Sequence, residues 1–216
     1  MNHTRHAGIF NLMGKHATII GAGGIGAMTA LVLAKMGMTM LRVYDDDAVD
    51  DVNLATQFHK LSDIGKLKVE ALVQTIELFS DDTMVFPLDT RVAEDTDLSD
   101  DIVISAVDSI TGRQQIWQAV KKSRVSWYLD ARMASETFQL YSVNMSSPSV
   151  MDAYETALMS LNEEDVPDEV CTSKATFYTA SVAAGHIGAA VRRIVMAQPQ
   201  PLLVVHEIFK NVLTVI

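Results

Sequence analysis

A glycine-rich loop near the start of the chain has the spacing of a phosphate-binding loop. Gly21, Gly23 and Gly26 form the pattern G-x-G-x-x-G, with Gly24 inside it, after an apolar run and at the start of a helical pattern. Without Cβ atoms such a loop turns tightly, so its backbone N–H groups can approach a phosphate at the positive end of the helix. The same glycines could serve only the close packing of helix on sheet, and the motif alone leaves both roles open.

Three consecutive carboxylates follow the next apolar run, at Asp45, Asp46 and Asp47. A carboxylate at this distance from a glycine loop accepts hydrogen bonds from the hydroxyl pair of a ribose. We therefore predict that Asp45 and Asp47 take part in nucleotide binding. NAD-dependent enzymes and ATP-dependent enzymes both recognise ribose, so these residues do not separate the two classes.

Composition narrows the class of protein. A chain of 216 residues with 49% hydrophobic residues can bury a full core, and we expect one domain over residues 1–216. The formal charge of −10, with no offsetting basic cluster, disfavours nucleic acid or an anionic membrane as a partner. The single cysteine, Cys171, excludes an internal disulfide and a four-cysteine zinc site. With neither a signal-peptide pattern nor a long apolar span, we expect a cytoplasmic protein.

Alternating strand and helix patterns predict an α/β fold with a doubly wound, largely parallel sheet and antiparallel strands at its C-terminal side. We expect the nucleotide-binding half at about 16–130, and a crossover segment, a last helix and a hairpin at about 131–216. The acidic stretch 146–168 is the expected crossover over the sheet. The hairpin is expected to turn at Lys210 and Asn211.

Four stretches carry a resemblance to a known family. "GAGGIG", "YDDDAVDDVNLATQF", "GKLKVEAL" and "ISAVDS" occur in the order and approximate spacing of the ThiF/MoeB family, the ubiquitin-activating-enzyme-like adenylyltransferases. The sequence resembles that family from about His16 to Arg113 and again at 171–195. The resemblance implies a Rossmann-like domain that uses MgATP to adenylate the C-terminal carboxylate of a small ubiquitin-like protein or peptide. It also implies a homodimer.

The resemblance assigns roles to four residues of this sequence. Asp45 would bind the ribose, Asn53 would contact phosphate, Lys68 would neutralise phosphate charge, and Asp108 would hold Mg²⁺. Each of the last three also has a structural interpretation. Lys68 could be an exposed helix lysine paired with an acid, Asn53 could cap a helix beginning near Leu54, and Asp108 could cap the helix that follows it.

The sequence departs from the family pattern at Thr56, where relatives usually carry an arginine that engages the ATP phosphates. A threonine supplies neither the charge nor the bidentate donors of an arginine. Arg132 is our candidate replacement, and a structural salt bridge is the alternative. Cys171 resembles a cysteine that forms a sulfur-linked intermediate in some members, with structural burial as the alternative. Two rival functions stay open: an NAD-dependent oxidoreductase, and a catalytically weak nucleotide-binding or scaffold protein.

Overall fold

Eight strands form one mixed sheet in the computed structural model of the protein, which describes residues 1–161 and 175–216. Numbered along the chain, the strands are β1 His16–Ile20, β2 Met40–Tyr44, β3 Met84–Leu88, β4 Ile102–Ser105, β5 Trp127–Ala134, β6 Thr137–Asn144, β7 Leu203–Glu207 and β8 Val212–Val215. Their order across the sheet is β3-β2-β1-β4-β5-β6-β7-β8. Strands β1 to β5 are mutually parallel, and β6 to β8 are antiparallel to their neighbours. The predicted fold class is confirmed.

Helices cover both faces of the sheet. The α-helices of the described residues are α1 Gly24–Lys35, α2 Lys68–Glu77, α3 Ile110–Lys122, α4 Pro148–Met159 and α5 Phe177–Val195. One apolar core contains buried residues of α1, α2 and α5, and a second contains those of α3 and α4. Over the ranges 1–161 and 175–216, no helix combines the length and apolar character that a membrane span needs. The sheet is therefore doubly wound, with its ligand-binding edge at the carboxyl ends of β1 and β4.

The central strands are apolar because helices cover them on both sides. Every residue of β4 is buried, as are all residues of β1 after His16. This continuous burial is typical of the interior of a parallel sheet. Strand β3 lies at the edge, where Pro87 has a single neighbouring strand and its missing N–H removes no second ladder bond.

The acidic stretch 146–168 contains a helix that the sequence analysis did not predict. Helix α4 begins with Pro148 at its first position, where a missing N–H has no cost, and it buries Tyr154 and Leu158 against the sheet. In the sequence, the four-residue spacing of these two apolar residues is the pattern that could have predicted the helix. Residues 162–174 lie outside the described residues, so the predicted crossover is described only as far as residue 161.

Small residues in α5 allow this helix to pack closely on α1. A Cβ at Gly188 would lie 2.8 Å from Cγ1 of Val32 and 3.1 Å from Sδ of Met36. At the other end of the contact, a Cβ at Gly24 would lie 3.5 Å from that of Ala180. Contacts within one chain therefore explain these small residues, and the homodimer stays a prediction.

Candidate functional site

The glycine loop joins β1 to α1, and two of its glycines are required by local geometry. Gly21 has a φ of +98°, and a Cβ there would lie 2.8 Å from the backbone oxygen of Ala106. A Cβ at Gly26 would lie 1.8 Å from the backbone oxygen of Gly21, so no other residue fits. Gly23 differs, because the nearest atom to its missing Cβ is Nε2 of Gln57 at 3.7 Å. Packing alone thus explains Gly21 and Gly26 but not Gly23.

Among the described residues, α1 begins without a side-chain cap from its N-cap residue. Gly23 is the N-cap residue and supplies no side-chain hydrogen bond, and the first turn contains no acidic residue. The first N–H groups of a helix have no partner within the helix, so uncapped ones suit an anionic ligand. The donor set of the loop therefore fits the phosphates of a nucleotide.

Asp45 lies directly after β2, and its side chain binds the backbone of the glycine loop. Its Oδ2 accepts a 2.6 Å hydrogen bond from the backbone N–H of Ala22, and its Oδ1 accepts one of 2.9 Å from the N–H of Asp47. Burial raises the pKa of Asp45, while the bond from Ala22 and the charge of Lys68 act in the opposite direction. Asp45 therefore lies against the glycine loop, and its role in ribose binding stays a prediction.

Lys68 is the first residue of α2 and lies beside the same acids. Its Nζ is 2.6 Å from Oδ2 of Asp47 and 3.9 Å from Oδ1 of Asp45. The alternative interpretation of Lys68 expected an exposed lysine paired with an acid. The acid is present, but Lys68 is only 7% exposed and its partners are the candidate nucleotide-binding residues. The structure thus brings Lys68, Asp45, Asp47 and the glycine loop into one site.

The segment after the acids passes over the glycine loop. Asn53 ends a short 3₁₀ turn, Asp51–Asn53, which Asp50 caps, and its Oδ1 accepts a 3.2 Å bond from the N–H of Asp50. The interpretation of Asn53 as the cap of a helix near Leu54 is therefore wrong. Thr56 lies next to the loop, because its backbone oxygen is 3.0 Å from where Gly24 would carry a Cβ.

His59 contributes to the site, although the sequence analysis did not identify it. Its Nε2 is 3.0 Å from the backbone oxygen of Ala22, and this nitrogen carries the proton because a carbonyl only accepts. Ala22 is therefore held on both sides, through its N–H by Asp45 and through its carbonyl by His59. Burial lowers the pKa of His59, and the charge of Lys68 lowers it further, whereas the hydrogen bond to Ala22 and the charges of Asp63 and Asp45 act in the opposite direction. In the sequence, the only indication that His59 belongs to the site is its position six residues after Asn53.

The lowered pKa of His59 predicts a pH dependence of stability. The unfolded chain takes up the proton near pH 6.5 and the folded chain only at lower pH, so the free energy of unfolding falls as pH drops below about 6.5. We expect this fall to be smaller in His59→Gln than in the wild type, measured by urea unfolding at several pH values. His186, whose pKa is also lowered, contributes equally to both proteins. His16→Gln, at an exposed histidine, is the control. If the free energy of unfolding falls equally steeply with pH in the wild type and in His59→Gln, His59 titrates in the folded state as it does in the unfolded chain.

Asp108 follows β4 and is exposed at the same edge of the sheet. Ser109, not Asp108, caps α3, because Oγ of Ser109 accepts a bond of 3.1 Å from the N–H of Gly112. The capping interpretation of Asp108 is therefore wrong. The hydrogen bond that Arg91 donates to Asp46 raises the pKa of Arg91, and the negative charges of Asp47 and Asp108 add to this effect. Asp47 and Asp108 are thus both near enough to Arg91 for their charges to act on it.

The carboxylates at this edge fit a hard divalent cation. Single oxygens of Asp45, Asp46 and Asp47 all lie within 4.8 Å of one another. Mg²⁺ is bound in proteins by one or two carboxylates together with the phosphates of a substrate. The donor chemistry of these three acids is compatible with MgATP; Asp108, the predicted metal ligand, is not one of the three, and its role stays a prediction.

Arg132 lies on β5, where its guanidinium pairs with buried Asp130. Its Nε donates a 2.8 Å hydrogen bond to Oδ2 of buried Asp130, and its guanidinium carbon is 4.8 Å from the centre of the Tyr141 ring. The alternative interpretation, a salt bridge, is thus present in the structure. Cys171 lies outside the described residues, so its predicted covalent role and its alternative both stay open.

Comparisons with known proteins agree with this architecture. The model of the ThiF family matches residues 2–211. Ubiquitin-like modifier-activating enzyme 5 of Oryza sativa subsp. japonica is 27% identical over 126 residues, which are 50% of this chain and 30% of that protein. The crystal structure of PaaA matches with a TM-score of 0.74 at 19% identity, covering 95% of this chain and 73% of the other. That of E. coli MccB with ATP gives 0.73 at 17% identity, with coverages of 95% and 64%. The chain spans less than a third of the length of the rice relative.

Proposed function

This chain belongs to the ThiF family, and from that premise we propose that it uses ATP to adenylate the C-terminal carboxylate of a small ubiquitin-like protein or peptide. A carboxylate oxygen attacks the α-phosphorus, and the bond from that phosphorus to the oxygen of the β-phosphate breaks. Pyrophosphate leaves with the electron pair, and an acyl adenylate forms. The names of the relatives support this reaction class, since one is a ubiquitin-like modifier-activating enzyme and one was solved with ATP.

The convergence of Asp45, Lys68 and the glycine loop is the observation that carries the proposal. Asp45 bonds the N–H of Ala22 within the loop, and Lys68 lies 3.9 Å from Asp45. A triphosphate at the uncapped start of α1 would therefore have a ribose acceptor and a buried cation on either side.

Within this site each predicted residue has a task. Asp45 and Asp47 accept hydrogen bonds from the ribose, Asn53 and Lys68 contact the phosphates, and Asp108 holds the metal ion. Mg²⁺, when bound, would neutralise charge on the phosphates. Charge shifts toward the leaving pyrophosphate in the transition state, so groups preorganised around it lower the barrier.

Arg132 is our candidate for the charge that Thr56 cannot supply. It keeps a full positive charge at any physiological pH, and its partner Asp130 is shared with a second arginine, Arg113. The cluster of these three side chains therefore has one positive charge more than its carboxylate neutralises. This surplus supports a role for Arg132 toward an anionic ligand.

The partners of the proposed reaction follow the same resemblance. We propose a homodimer that acts in the cytoplasm on a protein or peptide with a free C-terminus. The net charge of −10 supports a protein partner over nucleic acid or an anionic membrane.

Thr56 favours one rival, a family member that binds nucleotide without turning it over. The other rival, an NAD-dependent oxidoreductase, would use the glycine loop and Asp45 but has no use for Lys68 and Asp108.

Nucleotide binding and turnover separate the three functions. We expect MgATP, at about a hundred times its dissociation constant, to stabilise the protein by roughly 2.7 kcal/mol in thermal unfolding, and NAD to have no effect. With a candidate carboxylate partner, we also expect exchange of labelled pyrophosphate into ATP. Protection by NAD would favour the oxidoreductase, and protection by MgATP without exchange, for any partner, would favour the scaffold.

A further inference from the structure

A buried cluster of polar and charged side chains from α3, β5 and α4 surrounds Asp130. Asp130, on β5, is fully buried. Its Oδ1 pairs with Arg113 of α3, and its Oδ2 accepts bonds of 2.8 Å from Nε of Arg132 and 2.9 Å from the hydroxyl of Tyr154. Burial raises the pKa of Tyr154 well above its usual value, so that hydroxyl stays a donor. The carboxylate of Asp130 thus binds side chains from α3, β5 and α4.

Arg113 connects this cluster to the loop that carries Asp108. Its Nη2 donates to the backbone oxygen of Val107, the residue directly before Asp108. Its Nη1 donates to Asp130 and, at 3.0 Å, to the backbone oxygen of Ala131. A single guanidinium therefore holds the loop after β4 against the C-terminal part of β5.

We propose that Arg113 and Asp130 are positioning residues that set the place of Asp108 for binding of the metal–nucleotide complex. The inference rests on the proposed function, because Asp108 is the metal ligand only there. Asp108 itself is exposed and follows the strand by three residues, so the packed core does not fix its carboxylate. The hydrogen bond from Arg113 to Val107 supplies the missing constraint one residue away. Groups that hold a metal ligand in this way typically change metal affinity by about 10- to 100-fold when removed.

A second arginine in the same sheet, also paired with a buried aspartate but itself 30% exposed, provides a control. Arg42 of β2 pairs with buried Asp100, which also accepts a bond of 2.7 Å from the hydroxyl of Thr18. Asp100 comes before β4, at the opposite end of that strand from Asp108. Replacing Arg42 by lysine therefore disturbs a pair of the same chemistry without touching the loop.

The test measures ATP affinity with and without Mg²⁺. Arg113→Lys keeps the charge but loses the fork that spans Val107, Asp130 and Ala131. We expect this variant to bind ATP in EDTA with unchanged affinity. It should need about tenfold more Mg²⁺ than the wild type to reach the metal-dependent gain in ATP affinity. Both affinities are measured from the shift of the thermal unfolding midpoint with ligand concentration. Asp130→Asn should shift the Mg²⁺ requirement in the same direction. Arg42→Lys should lose stability in urea with its Mg²⁺ requirement unchanged.

The outcomes separate the positioning role from the proposed function. If Arg113→Lys and Arg42→Lys lose similar stability and share the wild-type Mg²⁺ requirement, the cluster is structural and the positioning role is wrong. A wild type whose ATP affinity does not respond to Mg²⁺ would also overturn it. If the Mg²⁺ shift appears while the wild type exchanges no pyrophosphate with any partner, the positioning role stands and the adenylation reaction fails.

Discussion

Replacing Asp108 by alanine should reduce pyrophosphate exchange by roughly 10³-fold, since a metal ion supplies several kcal/mol of charge stabilisation to such a transition state. The carboxylate is exposed and does not cap α3, so its removal leaves the fold intact. We therefore expect the free energy of unfolding to change by less than about 0.5 kcal/mol, as for an ordinary surface substitution. Exchange of labelled pyrophosphate into ATP, with urea unfolding in parallel, measures both quantities.

Asp101→Asn is the matched control for this variant. Asp101 is exposed and comes immediately before β4, whereas Asp108 follows the same strand at its other end. The control should exchange pyrophosphate at the wild-type rate. If Asp108→Ala also keeps more than about a tenth of that rate, Asp108 is not the metal ligand, because losing a ligand of this kind costs more.

The charge balance of the site explains why a divalent cation should strengthen ATP binding. Among residues 1–161 and 175–216, Lys68 pairs with Asp45 and Asp47, and Arg91 pairs with Asp46 and is also influenced by the charge of Asp108. Carboxylates outnumber cations two to one, so a triphosphate alone would enter a site of its own sign. Arg91 is 79% exposed and screened by water, so its ion pair with Asp46 offsets little of this repulsion.

The parts of the site that sequence could predict are those fixed by a strand end. The glycine loop and Asp45 come directly after buried strands, Asp108 follows β4 by three residues, and parallel strands bring their carboxyl ends to one edge. Topology therefore predicts the edge of the sheet at which these residues lie. The same rule does not locate Arg132, whose place depends on a buried partner in the same strand.

The remaining parts depend on contacts between distant segments. His59 reaches Ala22 because the chain after Asp51–Asn53 returns over the loop, a path that no local pattern specifies. In the sequence, Arg113 looks like any other polar residue of α3. It is buried against Asp130 because α3 packs on β5, which the sequence pattern does not specify. Tertiary contacts of this kind decide which polar residues are buried, and hydrophobic periodicity carries no information about them.

Replacing Lys68 by methionine should lower pyrophosphate exchange by about 10²- to 10³-fold, the usual cost of removing one preorganised donor from a developing charge. Methionine preserves the length and the burial of the side chain, so the substitution removes mainly the ammonium. The ion pair to Asp47 is half-exposed on the acid side, which limits its contribution to stability to about 1 kcal/mol. The loss of activity should therefore exceed the loss of stability by a wide margin. Exchange assays and urea unfolding on the same preparations give the two values.

Lys66→Met provides the comparison, because Lys66 precedes the same helix and pairs with an acid that is fully buried. Its Nζ is 3.0 Å from Oδ1 of Asp63 and 2.9 Å from Oε1 of Gln74, outside the nucleotide site. This variant should lose at least as much stability as Lys68→Met but keep its exchange rate. If the two variants instead lose activity only in proportion to stability, Lys68 serves the fold alone. Another cation, such as Arg132 on β5, would then have to neutralise the phosphate charge. The role assigned to Lys68 from the family motif would be wrong.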